Sequence, residues 1–323
     1  MRSAVGATQC TTVMLMLGSS FPISRELLGY PVLTGQAMRY AVAAAALAAA
    51  LYWWRRGRPP VRPTAGELWR LCALGATGLA AFNVCVLETL RRADPAVVGT
   101  AVGAAPIALA LLGPLTRGQR PAARLAVAAA VVVAGTGLVY GAGNTSVAGL
   151  AWASGAFAGE VGFSLIAAPL LARLGPVRVS AYACGFAVPL LLMAALVVGE
   201  RWQPPTATET AALAFLALIL TAGMFPLWYS GVHRLTVERA GMFAGLLPVV
   251  SLVATALFDR TSPPPTQLAG VLLVGVGLTV GLATRPAPAR VPPTLVPVTA
   301  DAHANDTKAE ISIVRMSIVD RSI

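Results

Sequence analysis

Apolar runs, each about 20 residues long, follow one another along most of the chain. That length spans a hydrocarbon core of roughly 30 Å as a helix. Ten are read, over residues 7–28, 35–54, 68–91, 95–114, 122–141, 147–172, 178–199, 209–232, 237–257 and 267–284. Turn and charge signals separate them, among them Gly29-Tyr30-Pro31, Arg55-Arg56-Gly57-Arg58, Ala93-Asp94-Pro95, Arg117-Gly118-Gln119-Arg120, Gly143-Asn144-Thr145, Gly175-Pro176 and Pro263-Pro264-Pro265. For segments this long a helix is the spanning structure that satisfies its own backbone in lipid. The pattern predicts an all-α integral membrane protein with ten transmembrane helices. The first run, behind Arg2, has the outline of a secretory signal peptide. Gln9, Thr11, Thr12, Ser19, Ser20 and Pro22 interrupt it, so a polar first helix lining a cavity is the reading adopted. Beyond residue 285, Pro286, Pro288, Pro292, Pro293 and Pro297, and then polar residues, predict a disordered cytoplasmic tail over 286–323.

The ten runs divide into two sets of five. Pro31-Val32 after the first run is echoed by Pro176-Val177 after the sixth, which lays Ser19 on Ser164. Gly99 and Pro106 in the fourth run match Gly241 and Pro248 in the ninth; Gly137 and Gly141 match Gly277 and Gly281. The predicted domains are therefore residues 1–145 and 146–285, each a five-helix repeat. Five is odd, so the second half enters the membrane in the opposite sense, an inverted-topology repeat. Two similar halves in opposite orientations have inward-open and outward-open forms of similar energy, which serves alternating access.

Composition narrows the class. Of the 323 residues 57% are hydrophobic and only 11% charged, where soluble domains carry about 25% charged. That excludes a soluble fold. The net charge is +11. In a membrane protein such an excess marks cytoplasmic loops and anionic headgroups rather than nucleic acid. With the N-terminus inside, most arginines fall on inner loops. Arg25, Arg39, Arg91, Arg92, Arg201 and Arg260 fall outside. This orientation puts both termini in the cytoplasm of a plasma-membrane protein. Trp53, Trp54, Trp69 and Trp202 sit at segment ends, the headgroup level that indole rings prefer. Cys10, Cys72, Cys85 and Cys184 all lie in apolar stretches, as buried small hydrophobes do. There is no His-x-x-x-His pair, no Gly-x-Ser-x-Gly elbow and no phosphate-binding loop. No metal, cofactor or enzymatic activity is expected.

Against this background the chain resembles the drug/metabolite transporter superfamily, in particular its ten-helix branch with two EamA domains. The likeness spans about residues 5–285. It rests on Gly18-Ser19-Ser20-Phe21, on Pro31 followed by Arg39-Tyr40, on Leu90-Arg91-Arg92-Ala93-Asp94-Pro95-Ala96, and on glycine-rich fourth, fifth, ninth and tenth helices. The family usually carries Gly-Glu at the end of each half's fourth helix; here Gly113-Pro114 and Phe258-Asp259 stand instead. The resemblance implies a transporter of small metabolites, often an exporter.

Candidate chemistry follows from what is costly in lipid. A charge at mid-bilayer costs roughly 2.5–3.5 kcal/mol on insertion scales, so a residue kept there is a functional candidate. Glu160 sits near the middle of the sixth run, among Gly155, Gly159 and Gly162, with Phe163 and Ser164 on its face. It is read as a partner for a substrate amine or as a proton carrier; the plainer reading is a protonated glutamate bonded to a neighbouring helix. Arg39 is placed about one turn inside the outer end of the second run, near Glu88 and Glu26, as an outer gate or static ion pair. Asn83, Ser19, Ser164, Trp228 and Tyr229 are candidate lining residues. Pro106, Pro226 and Pro248 are candidate kinks. Gly137-xxx-Gly141 and Gly277-xxx-Gly281 are small-residue packing faces, with homodimerisation through them as the alternative to packing within one chain.

The expected function is secondary transport, as an exporter of a small metabolite, amino acid or drug-like molecule. Alternating access would run through a central cavity walled by helices one, three, six and eight. The expected partners are a small-molecule substrate, membrane lipid and a coupling proton. The competing reading is a noncatalytic membrane scaffold or accessory subunit, which needs neither buried polar residues in several helices nor an inverted repeat.

Overall fold

The structure of the protein, a computed structural model, describes residues 2–20, 23, 25–27, 29–54, 61–141, 144–260 and 262–283. The expected tail over 286–323 lies outside the described residues. Among the described residues the long helical rods are, in order, α1 Arg2–Ser19, α2 Val32–Trp54, α3 Ala65–Leu90, α4 Ala96–Leu115, α5 Ala123–Tyr140, α6 Val147–Leu174, α7 Pro176–Val197, α8 Ala207–Leu235, α9 Val237–Phe258 and α10 Pro265–Ala283. Among the described residues, α2 to α10 are long and apolar enough to cross a membrane. The rod α1 has 18 residues and is the polar one, with Thr8, Gln9, Thr11 and Thr12. It also ends earlier than its apolar run. Ser20 Oγ turns back to the Leu17 carbonyl at 2.7 Å.

The same local devices recur in both halves. Thr64 and Thr206 cap α3 and α8, each completing a capping box with the glutamate three residues on, Glu67 or Glu209. Each rod then widens into a π-helical stretch, Leu74–Ala81 in α3 and Leu216–Gly223 in α8. The 142 residues between Gly99 and Gly241 also separate these two stretches. Pro226 follows the second of them, but α3 has valine at the matching position, so proline is not the common cause. The rods α4 and α9 are interrupted just before matching prolines. A turn at Ala104 precedes Pro106, and a 3-10 stretch, Phe243–Gly245, precedes Pro248. A proline ring clashes with the carbonyl four residues back, which forces the helix open there.

The major contacts follow the repeat, each either recurring in the other half or joining a rod to its own counterpart. The rod α3 packs on α6 as α8 packs on α1; α2 lies on α7, α4 on α9, and α5 most extensively on α10. This is the contact pattern of two five-helix halves related by a pseudo-two-fold axis. Glycines allow the closest approaches. A Cβ at Gly135 would stand 2.6 Å from the Gly270 carbonyl, and one at Gly270 equally close to the Gly135 carbonyl. Gly277 and Gly281 do face α5, both meeting Ala128, with Met242 of α9 also against Gly281. On α5, however, the partner face is Ala128, Val132 and Gly135. A Cβ at Gly137 would meet nothing, because two residues turn about 200° around a helix. Gly141 instead ends α5 at φ +78°.

Packing is uneven along the bundle. Arg62, Arg117, Arg120, Arg124, Arg173, Arg178, Arg234 and Arg239 gather at one end. Toward that end Leu71, Leu74 and Leu79 of α3, Leu109, Ala110 and Gly113 of α4, and Val237, Met242 and Phe243 of α9 are buried. Toward the opposite end, α3 has no buried residue from Ala81 to Glu88, nor α4 from Ala96 to Val102. The halves are closed at the arginine-rich end and looser at the other.

Candidate functional site

Glu160 lies halfway along α6, and glycines decide how near α6 comes to α3. A Cβ at Gly159 would sit 3.0 Å from the Thr77 carbonyl and from Phe82 Cβ, and one at Gly78 would sit 3.0 Å from the Phe163 backbone. The crossing thus falls on the π stretch of α3. Glu160 is half-buried and near enough to Tyr40 of α2 and Tyr229 of α8 for its charge to act on both phenols. It makes no hydrogen bond or ion pair among the described residues.

Around it an aromatic and polar cluster joins four rods. Tyr40 is buried, and its hydroxyl accepts a bond from Asn83 Nδ2 at 3.2 Å. The same Asn83 nitrogen donates to the Leu79 carbonyl, inside the π stretch, at 2.7 Å. Tyr229 is fully buried; it stacks on Phe163 at 5.0 Å and donates to the Phe163 carbonyl at 3.3 Å. Phe225 meets Phe163 edge-on at 5.1 Å and Tyr40 at 6.4 Å. Trp228 is buried beside Tyr229 in the same turn of α8. Ser164, one turn along α6 from Glu160, is buried with its hydroxyl unpartnered among the described residues. The cluster is thus built by α2, α3, α6 and α8, with α2 where α1 was expected. The α1 candidate, Ser19, is exposed at the end of its helix and turns back to the Met16 carbonyl at 3.2 Å. The contribution of α1 lies elsewhere, where Gln9 Nε2 donates to Ser230 Oγ at 3.1 Å.

Among the described residues Arg39 makes no outer ion pair. Its Nε donates to Thr221 Oγ1 at 2.7 Å, in the middle of α8. Its guanidinium lies over the Tyr40 ring, 5.6 Å from the centroid, and Nη1 reaches Gln36 Oε1 at 3.4 Å. Glu88, expected as its partner, is held by Arg91 at 2.7 Å and by Arg92. Those arginines follow at i+3 and i+4 and reach it without help from another helix. Glu26 is exposed on a 3-10 turn, Arg25–Leu27.

Two ion pairs join the halves at the arginine-rich end. Arg173 of α6 meets Glu67 of α3, and Arg117, just past α4, meets Glu238 of α9 at 2.7 Å. Glu238 is almost fully buried, with Oε2 over Gly113. Where Gly113-Pro114 replaces an expected glutamate, the carboxylate comes from the other half. At the opposite end Glu200 accepts bonds from the Leu33 and Thr34 amides and from Thr34 Oγ1, all at 2.9 Å. These are orphan donors of the first turn of α2, at the positive end of its dipole.

Two inverted five-helix halves around a cluster of aromatic and polar side chains are the build of a membrane transporter. Known proteins of similar sequence and fold agree. The EamA-like transporter family matches residues 5–141 and again 145–282, and the chain belongs to that family. It is 31% identical over 260 residues to a probable terminal-alkyne amino-acid exporter of Streptantibioticus cattleyicolor, covering 78% of this chain and 84% of that protein. It is 22% identical over 285 residues to the uncharacterized transporter YetK of Bacillus subtilis, covering 85% and 86%. A crystal structure at 20% identity superposes with a TM-score of 0.69 over 87% of this chain and 96% of its own, a likeness of fold. The protein is a multi-pass membrane transporter of small molecules.

Proposed function

We propose that the protein exports a small amine-bearing metabolite, an amino acid in the first instance, from the cytoplasm by proton-coupled alternating access. The observation that carries this reading is Glu160, an acid halfway along α6, on the helix that bears Phe163 of the aromatic cluster, and paired with nothing among the described residues. An acid held against the cost of lipid burial, with no partner of its own, is placed to receive a cation. A carboxyl that holds either a proton or an ammonium group, and not both, links the two fluxes. The likeness to an amino-acid exporter supports the substrate class. The arginine bias supports a cytoplasmic arginine-rich end and cytoplasmic termini in the plasma membrane. In that orientation the closed end faces the cytoplasm and the looser end faces outward.

The test is transport in proteoliposomes with and without an imposed pH gradient, using amino acids with a terminal-alkyne amino acid among them. Glu160→Gln keeps shape and hydrogen bonding but cannot titrate. It is expected to insert normally and to lose gradient-driven accumulation while keeping downhill exchange. Wild-type accumulation by this variant would remove Glu160 from coupling and leave uncoupled efflux as the better account.

A further inference from the structure

Arg39 carries the second unpaired charge at the centre of the bundle. Among the described residues it meets no carboxylate; its firm partner is one hydroxyl, Thr221 Oγ1 at 2.7 Å. Thr221 is fully buried and spends its own proton on the Leu216 carbonyl, five residues back in the π stretch, at 2.9 Å. Its oxygen is therefore an oriented acceptor, and the wide turn of α8 aims it. Gripping Nε while the guanidinium rests on the Tyr40 ring leaves Nη2 without a partner among the described residues and Nη1 with one long contact. A guanidinium offers its donors as a planar fork that suits a carboxylate. A charge this far inside calls for a counter-charge, and the described residues supply none, although Glu160 acts on the same Tyr40.

Among the described residues the two side chains are thus not paired with each other, Arg39 being held by Thr221 and the Tyr40 ring. We propose that Arg39 is the carboxylate-binding group of the site and that the substrate is a zwitterion, its ammonium at Glu160 and its carboxylate at Arg39. The proposal rests on the reading of Glu160 as the amine's partner. It also gives the π stretch of α8 a role, because the wide turn lets Thr221 position the arginine.

The experiment compares matched probes on the purified full chain in proteoliposomes. Each of the common amino acids and a terminal-alkyne amino acid is set against its own amide, which keeps the amine and lacks the carboxylate. Inhibition of exchange is read for wild type, Arg39→Lys and Arg39→Gln. Wild type is expected to prefer the acid over its amide by roughly 10- to 100-fold, the size of a charge-assisted bond. Arg39→Gln is expected to lose that preference by weakening acid binding alone, and Arg39→Lys to restore part of it. Equal binding of acid and amide by wild type, or equal weakening of both in Arg39→Gln, would overturn the role of Arg39. If amides still bind in a Glu160-dependent way, the reading of Glu160 survives that failure. If neither acids nor amides bind, both readings fall.

Discussion

The side chains at the centre divide into those that carry charge and those that hold the charge in place. Asn83 belongs to the second kind. Its amide ties the Tyr40 hydroxyl to the α3 backbone at Leu79, so it fixes the ring on which Arg39 rests. Asn83→Leu is expected to insert and express as wild type. A neutral bond of about 1 kcal/mol lost from the framework should weaken substrate binding about fivefold. Substrate concentration at half-maximal exchange measures this, and an unchanged value would make the bond one of simple packing. At this scale Glu160 was legible because the cost of a charge in lipid singles it out whatever the fold. Arg39 was misread because counting along a helix locates a Cα, while a long side chain places its charge elsewhere. Its partner, Thr221, lies on a helix of the other half. The fate of Glu88 was legible in principle, since Arg91 and Arg92 stand at the spacings that meet on one helix face.

Among the elements, the apolar runs predicted the rods well because lipid leaves a long segment few alternatives. The apolar run overshoots the end of α1 because hydrophobicity continues past Ser19-Ser20, where the hydroxyls turn back to the helix's own carbonyls. The π stretches left no hydrophobic signal, but the Thr-x-x-Glu boxes before them at Thr64 and Thr206 were open to reading as a second repeat marker. Small-residue faces were legible as a type but not as a register, which is why Gly137 was chosen over Gly135. The same distinction makes a prediction. Gly159→Val drives methyl groups into the Thr77 carbonyl and Phe82, already 3.0 Å from a Cβ; overpacking of this kind costs about 1–3 kcal/mol. It is expected to lower thermal stability in detergent and to abolish transport. Gly137→Val, where a Cβ meets nothing, should match wild type in both. Equal behaviour of the two variants would mean that the α3–α6 crossing is not set by close backbone approach.

For the whole molecule, the inverted repeat was visible from matched glycines and prolines, but which end of it is closed was not. Closure depends on contacts between halves, and one sequence fits either form. In the structure the arginine-rich end is closed, and the two ion pairs there are unequal. Arg173–Glu67 is the more exposed of the two, with its arginine about half in solvent, and exposed pairs are worth about 0–1 kcal/mol. Arg117–Glu238 has an almost buried carboxylate, so losing the arginine strands a charge against Gly113 and should disfavour the closed end more strongly. Reporter cysteines in a background without native cysteines test this. Ala167→Cys lies on the closed side and is buried; Val84→Cys lies on the looser side and is half-exposed. With Arg117→Ala, labelling by a membrane-permeant maleimide is expected to rise several-fold at Ala167→Cys and to fall at Val84→Cys. Adding Glu238→Gln removes the stranded charge and should reverse part of the shift. Opposite changes at the two reporters are what an exchange between two forms requires, since opening one end closes the other. Increased labelling at both would signal general loosening, and no change at either would mean that apolar packing alone holds the end shut.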